Sequence, residues 1–206
     1  MKKKIFVVFA LLLVSLMIFA SCDLGLSVSD LQKFNDMLKL DYSEVQVLIN
    51  TKTDTADLKG TFTLKFADDE ITIDYSFEKV NTFEIGPDGS ITVPDGDFIT
   101  TESGTIVVRD GVIVEGDVGV KLPDELDIYA GGFSFKQAFF SNITSKNAKF
   151  EADVINPQGF TGSDSLECSD MHVVVFQNVN AGTLSSIDLT YKSNGADVTI
   201  NYLFTK

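Results

Sequence analysis

Ile71-Thr72-Ile73-Asp74-Tyr75-Ser76-Phe77-Glu78 is the stretch on which the reading of the fold turns. Ile71, Ile73, Tyr75 and Phe77 alternate with Thr72, Asp74, Ser76 and Glu78, so one face of a strand is apolar and the other polar. Strands covered on both faces read as continuous apolar runs, whereas this alternation marks an antiparallel sheet with one wet face. The pattern spreads in both directions. Upstream, Phe62, Leu64 and Phe66 alternate with polar residues, 67–70 supply a hairpin loop, and Val45, Val47 and Ile49 repeat the period. Downstream, 105–109 and 112–115 flank Asp110-Gly111, a pair that supplies the positive φ of a type I′ turn. Phe150, Ala152 and Val154 alternate, 172–176 form an apolar strand, and Ile187, Leu189 and Tyr191 lead into Asn194-Gly195. Val198, Ile200, Tyr202 and Phe204 then return.

Two amphipathic helices interrupt the strands. Ser27-x-x-Asp30 has the form of a capping box, followed by Leu31, Phe34 and Leu38 on one face with Met37 beside them. Gln32, Lys33, Asn35, Asp36 and Lys39 fall on the polar face. A second helix is expected over 135–143, where Phe135, Phe139 and Ile143 share a face. The deciding stretch also has an echo. Residues 71–79 match 198–206 at five of nine positions, and each is the second arm of a hairpin. Duplication and convergence on a strand-forming pattern both produce this. The order of elements gives a strand-dominated α+β fold. It predicts a curved antiparallel sheet, half-barrel-like, with two helices, in one domain over 28–206. That order resembles the lipoprotein-carrier half-barrel of the LolA and LppX type, which implies a hydrophobic cavity for acyl chains. Two tandem cystatin-like units, each a helix held by a sheet, fit the repeat equally well and imply protein binding.

Charge narrows the partners. The 206 residues carry 16 Lys+Arg and 30 Asp+Glu, a net charge of −14. Three of the bases, Lys2, Lys3 and Lys4, sit in the first 21 residues, which hold no acid, so the remaining 185 residues balance at −17. A nucleic-acid binder needs a basic footprint, and electrostatic docking on anionic lipid needs the same. Of the 30 acids, 11 lie in 84–127 against two bases, Arg109 and Lys121, which makes this segment an acidic hairpin insert with turn signals at Pro87-Asp88-Gly89 and Pro94-Asp95-Gly96.

The basic head opens a secretory signal. An apolar run over 5–20, broken only by Ser15, ends in Phe19-Ala20-Ser21-Cys22. The run is shorter than the roughly 20 residues of a spanning helix. Small residues before Cys22 resemble the lipobox of bacterial lipoproteins, a resemblance confined to residues 1–22. Phe19 departs from the usual Leu. The resemblance implies cleavage after residue 21, a diacylglyceryl thioether on Cys22, a lipidated tether over 22–27, and a chain exported and anchored to a bacterial membrane. Asp23 next to the lipidated cysteine implies retention at the inner membrane in enterobacteria only. Stable anchoring takes two or more acyl chains, which this modification provides. Cys168 is then the sole remaining cysteine and has no partner for an intramolecular disulfide.

The catalytic inventory is thin. His172 is the only histidine, there is no Gly-x-Ser-x-Gly, and phosphate-loop and dinucleotide fingerprints are missing. Asp164, Cys168 and His172 have the ligand types of a metal site but too few of them. Asp88, Asp95 and Asp97 have the oxygen chemistry of a calcium site, but match no calcium-binding loop and are accounted for by turn formation. Asn142-Ile143-Thr144 has the form of a sequon without the eukaryotic context. The chain therefore reads as non-catalytic, without cofactor or metal. Fourteen phenylalanines follow residue 21, with no tryptophan. Phe133, Phe135, Phe139 and Phe140 are the best wall for a hydrophobic ligand, and a filled Phe-rich core is the competing reading. The expected role is binding, of a hydrophobic ligand or, through the acidic hairpins, of another envelope protein.

Overall fold

The computed structural model describes residues 28–54, 56–67, 70–81, 84–85, 91–92, 99–109, 112–116, 132–164 and 166–206. The signal segment, Cys22, the tether, the capping box at Ser27 and the acidic triplet Asp88, Asp95 and Asp97 lie outside these residues or have side chains outside the description.

The alternating segments become strands β1 (Glu44–Lys52), β2 (Ala56–Ala67), β3 (Glu70–Asn81), β6 (Ile99–Arg109), β7 (Val112–Glu115), β8 (Phe140–Lys146), β9 (Lys149–Val154), β10 (Ser169–Asn178), β11 (Thr183–Ser193) and β12 (Ala196–Thr205). The short β4 (Glu84–Ile85) and β5 (Ile91–Thr92) pair with each other alone. The ten longer strands form one curved, unclosed antiparallel sheet in the order β7-β6-β3-β2-β1-β12-β11-β10-β9-β8. The chain starts at the centre, steps outward to the β7 edge, crosses to the β8 edge and steps back inward. The first and last strands therefore meet in the middle, with Val47 opposite Tyr202 and Ile49 opposite Ile200. Because pairing is in register, one row of side chains runs Tyr75, Phe62, Val47, Tyr202, Ile187, Val175, Phe150 across seven strands. All seven are buried, which defines the concave, core-bearing face. The row ends at Gly104 on β6, where the Tyr75 ring occupies the space a Cβ would need, its Oη 2.6 Å from that position.

This single continuous sheet with one core replaces the tandem-unit alternative. The two repeat copies lie in β3 and β12, which are not equivalent about the central seam: β12 borders it, and β3 is separated from it by β1 and β2.

Helix α1 (Val28–Leu38) buries Leu31 and Phe34 against the core, with Met37 and Leu38 partly buried, as its periodicity predicts. Tyr42, just beyond it, is a strut: its hydroxyl donates to Met37 O at 2.9 Å and accepts from Leu184 N at 3.1 Å. Burial pushes the phenol pKa up, so it remains a donor.

The helix expected over 135–143 is not formed. Lys136 is extended, residues Gln137–Phe139 make a single 3-10 turn, and Phe140 begins β8. The spacing misled because three different local conformations sit four residues apart: Phe135 in the extended strap, Phe139 in the 3-10 turn, and Ile143 in β8 at a register shift beside Asn142, whose φ is 50°. The second helix is instead α2 (Pro157–Thr161). Its signals are local: the Asn156 side chain accepts from Gly159 N at 3.0 Å, Pro157 opens the first turn, and Gly162 at φ 69° closes it.

Candidate functional site

Residues 132–136 run as an extended strap over the concave face between α1 and α2. Its backbone is not laddered into the sheet. The Asn35 carboxamide meets it edge-on, accepting from Phe135 N at 2.8 Å and donating to Phe135 O at 2.9 Å. One further backbone bond runs from Ser134 N to Phe160 O, at 2.8 Å. The amide of Asn35 therefore stands in for a strand neighbour, presenting one donor and one acceptor to one residue. On sequence alone Asn35 belongs to the polar helix face; the structure makes it a half-buried clamp.

The strap turns Phe133 and Phe135 inward, 8% and 2% exposed. Phe135 lies 5.2 Å from Phe34, 5.9 Å from Phe140, 6.0 Å from Phe150 and 5.2 Å from Phe160, between ring centroids. Phe133 meets Phe160 and Tyr202, each at 5.2 Å. Tilted and edge-on contacts at these distances are favourable ring arrangements. Of the four expected wall residues, three (Phe133, Phe135 and Phe140) join one aromatic cluster and fill the concave face. Phe139 sits at its rim, half-buried, with Lys136 Nζ 5.3 Å above its ring. A Cβ on Gly159 would lie 2.9 Å from that ring, so α2 and the 3-10 turn fit closely there.

Beside the strap is an open groove of about 750 Å³. Leu38, Ile71 and Phe133 supply its apolar surface, and Gln32, Lys39 and Ser134 its polar rim.

The other sequence candidates separate. His172 lies on the convex face, where Nδ1 is 2.8 Å from Asp153 Oδ1 and Nε2 is 3.2 Å from Glu151 Oε1. Asn142 donates to the second Asp153 oxygen, and Lys149 pairs with the second Glu151 oxygen. These partners hold both carboxyls below their usual range, Lys149 leading for Glu151 and Asn142 for Asp153. The network is thus satisfied internally and ties β9 to β10. It does not include Asp164 or Cys168. Among the described residues no group of three or more His, Cys, Asp or Glu is placed to hold a metal ion. Cys168 is half-buried, and burial pushes its thiol pKa up, away from nucleophilic thiolate character. Among the described residues no helix is long and apolar enough to cross a membrane.

No family model matches the chain, and no curated protein matches it. Among solved structures, the crystal structure of an N-terminal dehydratase from the difficidin assembly line aligns with 87% of this chain and 83% of its own, at 11% identity and a TM-score of 0.18. At that score the likeness carries no argument about fold or chemistry.

Proposed function

We propose that this chain is an exported bacterial lipoprotein, anchored through Cys22, whose folded domain binds a hydrophobic ligand without catalysis. The observation that carries the binding half is the concave face itself. It is apolar, with a cluster of aromatic rings under the strap, the segment closing it is held by a side-chain clamp and not by a strand ladder, and a groove of about 750 Å³ adjoins it. The address rests on the lipobox-like end of the leader and on charge: a domain at −17 does not adhere to anionic lipid, so membrane contact falls to a covalent anchor. Replacing Cys22 by Ser tests the address. The variant is expected in the soluble fraction, and continued membrane association would refute lipidation.

One observation favours a second role, in protein contact. At the acidic end of the sheet Ile99, Val112 and Val114 are exposed large apolar residues near the β6–β7 edge. Replacing Ile99, Val112 and Val114 by Ser, which leaves the β6–β3 pairing in place, and finding an unchanged set of envelope partners would eliminate it.

A further inference from the structure

We propose that the strap 132–136 is a displaceable plug, and that a single-chain amphiphile with a small anionic head binds by moving Phe133 and Phe135 out of the concave face. The proposal rests on the hydrophobic-ligand reading above and adds how the ligand enters and what it is.

The strap is weakly held for something so deeply inserted. Among the described residues its main chain is fixed to other elements by the Asn35 pair, by the Ser134–Phe160 bond and, at its end in the 3-10 turn, by Phe139 N donating to Lys136 O. A strand at the same depth, such as β12, is bonded along its length on both sides. At one end stands Gly132, at φ 78°, a left-handed conformation that glycine adopts without strain. At the other end is the 3-10 turn Gln137–Phe139. The strap can therefore swing as a unit once the Asn35 pair and the Ser134–Phe160 bond are released. The rings it would withdraw leave a space walled by Phe34, Phe150, Phe160 and Tyr202, all fully buried and apolar apart from one hydroxyl. That space accepts an alkyl chain and rejects a polar ligand. The groove reaches it along Phe133. At the groove rim Lys39 is a cation whose side chain is 74% exposed and pairs with Asp36 only at 3.9 Å, so a carboxylate head can compete for it there.

If the plug must open first, the rate of binding saturates at the opening rate, and loosening the plug raises both that rate and the apparent affinity. The test is stopped-flow titration of the Cys22→Ser chain with dansyl-labelled undecanoic acid, with and without Asn35→Ala. The expected result is a binding rate that levels off with probe concentration and a plateau at least about ten-fold higher in Asn35→Ala, equivalent to roughly 1.4 kcal/mol in the opening step. Binding in both proteins with equal plateaus would overturn the plug and leave the binding reading standing. No binding by either would overturn both. If Asn35→Ala does not fold, hydrogen exchange without that substitution decides. The Ser134 and Phe135 amides should lose protection when the probe saturates, and unchanged or increased protection there overturns the plug.

Discussion

The Asn35 clamp has a stability cost that follows from its geometry. Removing the carboxamide leaves the N–H and C=O of Phe135 without their partners in a partly buried setting. Each such bond contributes about 0.5–1.5 kcal/mol net, and an orphaned group costs about 1–3 kcal/mol where water cannot reach it. The groove admits water to one side, which moderates the second figure. Asn35→Ala should therefore lose about 2–3 kcal/mol, a fall in Tm of roughly 5–10 °C for a domain of this size. Asn35→Asp separates the two bonds. Its carboxylate still accepts from Phe135 N but faces Phe135 O with no proton to donate, so it should be no more stable than Asn35→Ala. Urea unfolding followed by far-ultraviolet circular dichroism measures both, with the slope checked for constancy. A loss below about 0.5 kcal/mol in Asn35→Ala, the scale of an ordinary surface substitution, would refute the idea that this amide holds the strap.

Other expectations follow from the same structure. Phe135→Ala should cost about 3–5 kcal/mol, because the ring is central to the aromatic cluster, whereas Phe139→Ala at the rim should cost markedly less; chemical denaturation of the pair gives the ranking. Gly104→Val should destabilise by about 1–3 kcal/mol, since the Tyr75 ring already fills the space; a neutral result would mean that the ring moves aside freely. Acid stability has a definite sign. Asp74, held by Lys65 and Thr105, and Glu151 and Asp153 on β9 all have lowered carboxyl pKa values. Their contribution is present above the unfolded-state carboxylate range near pH 4 and is lost as pH falls through the lower folded values. Asp153→Asn should therefore shrink the loss of stability between pH 5 and about pH 2, and an unchanged acid limb would contradict the network.

Legibility in the sequence followed the range of each interaction. Strands with strict alternation, such as β3 and β12, were readable because a period of two is a local property, and α1 because its apolar face repeats locally. The sheet order was not readable. Nothing in β1 or β12 names the other as partner, and their pairing joins residues more than 140 apart in sequence. The error at 135–143 came from a strap, a 3-10 turn and a bulged strand following one another, whose apolar residues fall four apart and imitate a helical spacing. The replacement helix did carry its signals, Asn156-Pro157 and Gly162, but five residues are too short for a periodicity to appear. The four phenylalanines were visible as a group, and three of them share one cluster. Asn35 was invisible as a clamp, since an asparagine on a helix is ordinarily solvated and only the tertiary fold brings Phe135 to it.

The proposed binding of a hydrophobic molecule by this domain has a direct test. Native mass spectrometry tests it most directly, on the Cys22→Ser chain purified from its own cells without detergent and then mixed with long-chain fatty acid. The expected spectrum shows one amphiphile per chain, retained on gentle ionisation and lost when Phe34→Asp places a charge among the clustered rings. A spectrum showing only the bare chain, before and after addition, would contradict it.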